Sequence, residues 1–454
     1  MSRDTKALAA LMTAVFSYAL MQTVVVPALG LLTRELRTTP AWSTWILSAF
    51  LLSSAVLTPL LGRMGDLYGK RRLLLGVLAV YTLGMAGAAV AQDIGQLIAA
   101  RVVQGSALAL VPLSMALLRG AMPPARLPFA MGLISGIVGA GAGAGLVVGG
   151  LLADYLSWRS LFVLGAVLAL VSLLMAVRWI PSGEPAARGR LDLPGAALLG
   201  LGLVALLLAL TLGPSWGWTS AGVLGLFGLA VVAFAVLVVV ERRRDDPLID
   251  VAELTDRPMF MTHAAAFLFG AGSYFFYLAM PLFAQQDPAA TGIGFGASVT
   301  MAGLLMLPGM LAIIPAGMVV GRMAAAWGPR WPLVAGFALA AAGAVLLAVA
   351  HAQMWQHLLF YAVVGAGSGL AMGSLPKLIA DIVPLSRTGT ANGVNNIVRT
   401  VGSTVGSQLA AVVIASGVSD GAFTTLFWLA AAACVLGVAI APLAVAPRAA
   451  EVAR

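Results

Sequence analysis

Charged residues are scarce in this chain of 454 residues. Asp, Glu, Lys and Arg make up 9% of the sequence, whereas hydrophobic residues make up 61%. Soluble globular domains carry about 25% charged residues, so the composition excludes a soluble domain and indicates an integral membrane protein. The net charge of +9 does not indicate nucleic-acid binding, because the basic residues stand in short clusters between apolar runs.

Residues that bind metals or nucleotides are also scarce. The single cysteine, Cys434, has no partner for a disulfide, and the three histidines, His263, His351 and His357, are far apart in the sequence. No G-x-x-x-x-G-K-[ST] phosphate loop is present, so direct ATP hydrolysis is not expected. The sequence therefore predicts neither a metal site nor a cofactor.

Long apolar runs, by contrast, recur along the whole chain. Runs of about 20 residues are long enough to cross a bilayer as helices, and they predict fourteen spans. The first run follows a short basic segment but is as long as a full span and ends in no clear cleavage site, which predicts a retained helix and not a signal peptide. The predicted spans are 7–33, 42–61, 73–92, 95–118, 128–153, 158–180, 193–213, 220–240, 259–284, 296–320, 332–351, 355–382, 391–416 and 421–445.

The positive charges predict the orientation of these spans. With a cytoplasmic N-terminus, only Arg34, Arg37 and Arg159 of the 26 Lys and Arg residues fall outside, and only Arg101 and Arg399 fall within spans. Lys and Arg favour cytoplasmic loops, and this asymmetry does not reverse along the chain. We therefore expect a multi-pass protein of the plasma membrane with both termini in the cytoplasm.

A hydrophilic stretch separates the second and third spans. It reads Gly62-Arg63-Met64-Gly65-Asp66-Leu67-Tyr68-Gly69-Lys70-Arg71-Arg72 and predicts a tight turn on the cytoplasmic side. A carboxylate among four cations predicts a conformational latch, in which Asp66 pairs with a cation or a helix N-terminus. The alternative is that the cluster only anchors the topology. The candidate latch residues are Gly62, Gly65, Asp66, Gly69, Lys70, Arg71 and Arg72.

The fourth span contains a polar site formed by Arg101, Gln104 and Gly105. An arginine at the centre of a spanning helix costs about 2.5–3.5 kcal/mol on insertion scales, so such a residue usually faces a partner or a water-filled cavity. The alternative is that Arg101 lies near a helix end and snorkels to the lipid headgroups.

The fifth span is rich in glycine. Small residues four apart let two helix backbones approach closely, and glycine permits local bending. A functional glycine motif is the interpretation that we favour, and a Gly-rich packing face is the alternative. The glycines concerned are Gly132, Gly141, Gly145, Gly149 and Gly150.

Five segments together resemble motifs of the major facilitator superfamily. The stretch after the second span is similar to G-x-x-x-D-[RK]-x-G-[RK]-[RK], with Leu67 at a position usually held by a cation. Residues 97–105 resemble L-x-x-x-R-x-x-Q-G, and the fifth span resembles the antiporter motif G-x8-G-x3-G-P-x2-G-G, with Leu146 in place of the proline. Residues 154–162 and 389–399 resemble segments of the fourteen-helix drug:proton antiporter branch.

The resemblance implies an all-α polytopic membrane protein with the major facilitator fold. Two six-helix bundles, 1–180 and 258–454, would flank two additional helices within 181–257. It also implies a secondary active transporter, not an enzyme, that exports small amphiphilic compounds by alternating access and uses the proton gradient. The alternatives are a uniporter or importer of a metabolite, or a non-transporting or enzymatic polytopic membrane protein.

The sequence leaves open which residue couples transport to protons and which charge the substrate carries. No carboxylate lies at the centre of a predicted span, and His263 could titrate or serve as a hydrogen-bonded packing residue. Neutral or anionic amphiphiles therefore have as much weight as cationic drugs. The expected partners are a small-molecule substrate, protons and the lipid bilayer, bound by a monomer. Candidate cavity or coupling residues are Gln22, His263, Tyr274, Asn392, Asn395, Asn396 and Arg399.

Overall fold

The chain is helical throughout the part that the structure, a computed structural model, describes. That part covers residues 3–123, 127–181, 193–243, 256–383, 388–415 and 417–444, and within it no strand occurs. The long helices, numbered in chain order, are α1 (Arg3–Thr23), α2 (Pro40–Tyr68), α3 (Lys70–Ala89), α4 (Ile94–Gln104, a 3₁₀ turn Gly105–Ala109, and Leu110–Ala121), α5 (Leu127–Tyr155), α6 (Trp158–Trp179), α7 (Leu193–Trp216), α8 (Ala221–Glu241), α9 (Arg257–Ala284), α10 (Val299–Trp327), α11 (Trp331–Val349), α12 (Met354–Ile382), α13 (Thr388–Ala415) and α14 (Asp420–Ile440).

Thirteen of these helices, α2 to α14, are long and apolar enough to cross a membrane among the described residues. The remaining helix, α1, has 21 residues but is more polar, because Asp4 and Lys6 lie in its first two turns and Gln22 lies near its end. The fold class is confirmed, and the prediction of fourteen spans is confirmed for thirteen of them.

The first predicted span was too long. The helix does not run from 7 to 33, because α1 ends at Thr23 and a separate short helix follows at Leu29–Glu35. Pro27 lies between the two helices. Proline lacks an N–H and disfavours the helical conformation of the preceding residue, which explains the break.

The hydrophilic stretch after the second span forms less of a loop than predicted. Residues 62–68 continue α2, α3 begins at Lys70, and only Gly69 separates the two helices. Gly69 has φ 98° and donates its N–H to the carbonyl oxygen of Gly65 at 3.1 Å. This backbone conformation is accessible to glycine at little cost, so one residue suffices for the turn.

Side chains cap the starts of several helices. The hydroxyl oxygen of Thr39 accepts a hydrogen bond from the Trp42 N–H at 3.4 Å at the start of α2, and the carboxylate of Asp93 accepts one from the Gln96 N–H at 2.8 Å at the start of α4. Such caps satisfy N–H groups that have no partner within the helix.

The helices group into two compact units. The first consists of Met1–Ala196, Tyr277–Leu311 and Ala411–Asp420, and the second of Ala197–Phe276, Ala312–Ala410 and Gly421–Arg454. The first unit therefore includes the end of α9 and the start of α10, which pack with helices of the N-terminal half. The division of the chain at 180 and 257 stays a prediction from the sequence.

Candidate functional site

Arg101 lies in the first part of α4 and has no exposed surface. Its Nε donates to the carbonyl oxygen of Ile46 at 2.9 Å, and its Nη1 donates to Oε1 of Gln104 at 2.7 Å. The amide nitrogen of Gln104 donates in turn to the carbonyl oxygen of Gly84 at 2.9 Å. The pair therefore ties α4 to α2 and α3. The alternative in which Arg101 snorkels to the headgroups does not fit its complete burial.

Two aromatic rings lie in a row beside this guanidinium, first that of Phe50 on α2 and then that of Tyr18 on α1. The guanidinium carbon of Arg101 lies 4.5 Å from the ring centroid of Phe50, a distance suited to a cation–π interaction. The ring of Phe50 stacks on that of Tyr18, with centroids 6.4 Å apart and planes inclined by 23°. The buried charge is therefore stabilised by polarisable groups as well as by hydrogen bonds.

Gly105 lets α2 approach α4 at this site. A Cβ atom on Gly105 would lie 2.8 Å from the backbone nitrogen of Ser54 and 2.9 Å from the carbonyl oxygen of Phe50. The hydroxyl of Ser54 donates to the carbonyl oxygen of Gly105 at 2.9 Å. Glycine is therefore required for this approach, and it begins the 3₁₀ turn in α4.

The glycines of α5 contact two different helices. Those that face α1 are Gly141, Gly145 and Gly149. A Cβ atom on Gly145 would overlap the carbonyl oxygen of Leu20, and one on Gly149 would overlap that of Val24. The hydroxyl of Thr23 donates to the carbonyl oxygen of Ala142 at 2.7 Å. The backbones of α1 and α5 are therefore in direct contact.

A second face of α5 packs on α10. A Cβ atom on Gly150 would overlap the backbone of Thr300, and one on Gly303 would overlap the carbonyl group of Leu146. Leu146, which replaces the proline of the antiporter motif, is fully buried, and α5 runs through it as an unbroken helix. Gly132 lies in the same helix, but its surroundings are outside the described part of the chain.

The carboxylate of Asp154 caps the start of α10. One of its oxygens accepts a hydrogen bond from the Val299 N–H at 3.1 Å, and the other accepts one from the Thr300 N–H at 2.7 Å. A carboxylate is favourable at this place because the first N–H groups of a helix have no intrahelical partner and carry partial positive charge. We call the contact formed by Gly150 and Asp154 of α5 with Val299, Thr300 and Gly303 of α10 the α5–α10 seam.

A second polar contact lies in the same unit. The amide nitrogen of Gln285, just after α9, donates to the carbonyl oxygen of Pro27 at 3.1 Å and to that of Pro281 at 2.9 Å. If successive spans alternate in direction, α1, α5 and α9 all end on the membrane side where α10 begins. The Gln285–Pro27 contact and the α5–α10 seam therefore lie on the same side of the membrane.

In the second unit, His263 of α9 meets Asn395 of α13. The His263 Nδ1 and Asn395 Nδ2 atoms are 3.1 Å apart, and Nδ2 also lies 3.4 Å from the carbonyl oxygen of Thr262. If the amide donates to Nδ1, the ring carries its proton on Nε2 and is neutral. Both side chains are buried. The geometry suits a hydrogen-bonded packing residue, one of the two roles that the sequence leaves open.

The structure brings the other predicted polar residues together only in part. Arg399 donates from Nη2 to Oδ1 of Asn396, three residues earlier on α13. Tyr274 is buried, whereas Gln22 and Asn392 are half-buried.

The candidate latch residues occupy the ends of α2 and α3. Arg71 donates from Nε to the carbonyl oxygen of Ile180 at 2.7 Å and from Nη2 to that of Val177 at 2.9 Å, so it binds the C-terminal end of α6. A Cβ atom on Gly65 would lie 2.8 Å from a side-chain carbon of Leu113, whereas Gly62 and Gly69 have open space. Lys70 is half-buried and Arg72 is exposed. The side chain of Asp66 lies outside the described part, so its latch role stays a prediction.

Asp154 is a functional residue that the sequence does not single out. The signal was present, because an acidic side chain in the last turn of a helix is unfavourable for that helix's own dipole. Such a residue is expected to have a partner elsewhere. Here the partner is the start of α10, 145 residues further along the chain.

Comparison with known proteins decides the family. The sequence model described as the Major Facilitator Superfamily matches residues 11–240 and 262–454. The chain belongs to the major facilitator superfamily. It is therefore a membrane transporter, as the motifs of α2–α5 predict.

This major facilitator is also similar to named resistance proteins. It is 28% identical over 428 residues to the tetracenomycin C resistance and export protein of Streptomyces glaucescens, covering 92% of this chain and 77% of that protein. It is 31% identical over 387 residues to the methylenomycin A resistance protein of Streptomyces coelicolor, covering 84% and 80% of the two chains.

A solved structure shows the same fold. The human organic anion transporter MFSD10 matches 97% of this chain and 100% of its own, with a TM-score of 0.65 and 17% sequence identity. This likeness confirms the major facilitator fold for the helices described above.

Proposed function

We propose that this major facilitator exports small amphiphilic compounds from the cell in exchange for protons, by alternating access. The observation that carries the proposal is the glycine motif of α5, in which Gly141, Gly145 and Gly149 pack against the α1 segment and Gly150 packs against α10. Relatives over most of the chain are named for resistance to tetracenomycin C and methylenomycin A, and the first is named for export.

The α5–α10 seam suits one step of such a cycle. It connects a helix of the N-terminal half with a helix of the C-terminal half, so it has to part when the transporter opens on that side. Backbones that pack at glycines are in contact without interdigitated side chains. When the helices separate, water can replace the N–H groups and the carboxylate of the Asp154 cap as hydrogen-bond partners. A contact of this kind can open and close repeatedly.

The substrate is proposed to be neutral or anionic. Among the described residues, the buried side chains with a formal charge are Arg101 and Glu241, and Glu241 is the last residue of α8. A lipophilic cation would gain most from a buried carboxylate near the middle of the membrane. Cationic drugs are the alternative, and the test below distinguishes them.

The positive charges support an arrangement in the plasma membrane with both termini in the cytoplasm. On that arrangement the α5–α10 seam faces the outside. Two six-helix bundles with two additional helices between them, functioning as a monomer in the bilayer, complete the proposal.

Proton flux in inside-out vesicles tests the function. A pH-gradient dye is recorded while an anionic, a neutral and a cationic amphiphile are added in turn, with tetracenomycin C and methylenomycin A as further probes, since relatives are named for resistance to them. Dissipation of the gradient by neutral or anionic compounds is the expected result. Dissipation by cations alone would refute the substrate class.

Two other outcomes would point to other functions. Movement of labelled compounds without proton flux would indicate a uniporter, and accumulation in the opposite direction would indicate an importer. The absence of any flux with correctly inserted protein would leave a non-transporting or enzymatic membrane protein and refute the proposal.

A further inference from the structure

A basic cavity opens where α1 and α3 begin and α6 ends. Its volume is about 380 Å³, and its charged lining consists of Lys6, Arg71 and Arg178. No carboxylate is among the described residues that line it. Trp179 and Pro181 complete its wall, and tryptophan favours the region between the apolar core of a membrane and water.

Arg71 is held in place within this cavity. Its bonds to the carbonyl oxygens of Ile180 and Val177 occupy two of the groups at the C-terminal end of α6. These bonds orient the guanidinium and offset the partial negative charge of that helix end. The cavity therefore presents one cation that two hydrogen bonds hold in place, together with the cations of Lys6 and Arg178.

An apolar stripe on α6 leads to the cavity. Its members are exposed and recur every three or four residues, so they lie on one face of the helix. They are Val163, Val167, Leu170, Val171, Leu174 and Val177. Val177 also lines the cavity, so the cationic and apolar surfaces are continuous.

We propose that this cavity binds the phosphate headgroup of an anionic glycerophospholipid, with one acyl chain lying along the apolar stripe of α6. Three cations at the membrane surface attract an anionic headgroup, and basic pockets between transmembrane helices are known sites for such lipids. The adjoining stripe favours a lipid over free phosphate, because phosphate has no apolar part to bury there. The bound lipid joins the starts of α1 and α3 to the end of α6.

Native mass spectrometry of the purified full chain tests the site. Phosphatidylglycerol and phosphatidylcholine with identical acyl chains are titrated into the protein in a mild detergent. We expect phosphatidylglycerol to be retained in preference. The Lys6→Gln/Arg178→Gln double variant should bind it about 30-fold more weakly, with little change for phosphatidylcholine. Arg71 is left intact, since it also holds α6.

A matched control and a competitor make the test decisive. The Arg242→Gln/Arg330→Gln double variant removes the same charge at helix ends outside the cavity and should retain phosphatidylglycerol like the parent protein. Equal loss in both variants, or no preference for the anionic lipid, would overturn the site. Displacement of the lipid by an equal concentration of inorganic phosphate would show that the cavity binds phosphate alone and would overturn the lipid assignment.

Discussion

Replacement of Asp154 by asparagine should loosen the α5–α10 seam. Asparagine keeps one acceptor oxygen in place of two, so one of the two hydrogen bonds from the Val299 and Thr300 N–H groups is expected to weaken or break. It also removes the negative charge from the start of α10. The shape of the side chain and its packing beside Gly150 stay almost the same, so the change tests the charge and the second acceptor oxygen of the cap without creating a cavity.

The expected size of the effect follows from those two losses. A hydrogen bond to a charged group contributes about 1.5–3 kcal/mol, and a carboxylate at a helix N-terminus contributes about 0.3–1 kcal/mol at an exposed site. Asp154 is exposed, so the lower ends apply and the closed seam should lose about 1–2 kcal/mol. The ratio of open to closed protein should therefore rise by about 5- to 30-fold.

Cysteine accessibility measures this ratio. In a Cys434→Ala background, Val299→Cys places the only thiol in the seam, where the native side chain is buried. Its reaction with a membrane-impermeant maleimide applied from outside should speed up when Asp154→Asn is added.

Asp287→Asn is the matched control for this experiment. Asp287 also caps a helix, accepting from the Ala289 N–H at 2.9 Å, but it binds within its own loop. It should not change the labelling of Val299→Cys. Equal labelling rates in the parent and in both Asp154→Asn and Asp154→Ala would refute the role of the carboxylate in closing the seam.

Three further substitutions, the first with a matched control, test other contacts. Gly149→Ala should destabilise the protein by about 1–3 kcal/mol, because the added Cβ overlaps the backbone of α1. The control Gly225→Ala has open space around it, so it should be neutral or stabilising by about 0.5–1 kcal/mol. Thermal unfolding in detergent compares the two variants. Arg101→Lys keeps the charge but cannot reproduce the guanidinium's paired hydrogen bonds, so transport should fall together with a stability loss of about 1–3 kcal/mol; normal transport would show that charge alone is sufficient. Asp66→Asn should abolish transport without reducing membrane insertion, and transport at the parent rate would refute the latch.

The sequence predicts those features of this protein that depend on composition along the chain. Apolar runs of bilayer length predicted α2–α14, because a span has to satisfy its backbone within one helix. The burial of Arg101 could be anticipated from its cost, and its bond to Gln104 joins residues one helical turn apart. The glycines of α5 could be predicted to pack closely, but not against which helices.

Features that depend on distant segments could not be predicted in this way. The cap formed by Asp154 joins residues far apart in the chain, and nothing in the local pattern names the start of α10 as its partner. The end of α1 at Thr23 and the continuation of α2 through Tyr68 depended on competition between local signals. At Thr23 the helix ends because of the following proline, although the apolar run continues. At Tyr68 the helix continues because the turn needs only Gly69, whereas the sequence predicts a turn of eleven residues.

The single-residue turn at Gly69 has a mechanical consequence. A connection of one residue allows little independent movement of α2 and α3. The hydrogen bonds of Arg71 also hold the start of α3 against the end of α6. These three helices are therefore expected to rotate as one lever. A helix of 29 residues such as α2 is about 43 Å long, so a tilt of about 10° pivoting at this joint would displace its far end by about 8 Å. A small movement at one face of the membrane would thus become a displacement the size of a small molecule at the other.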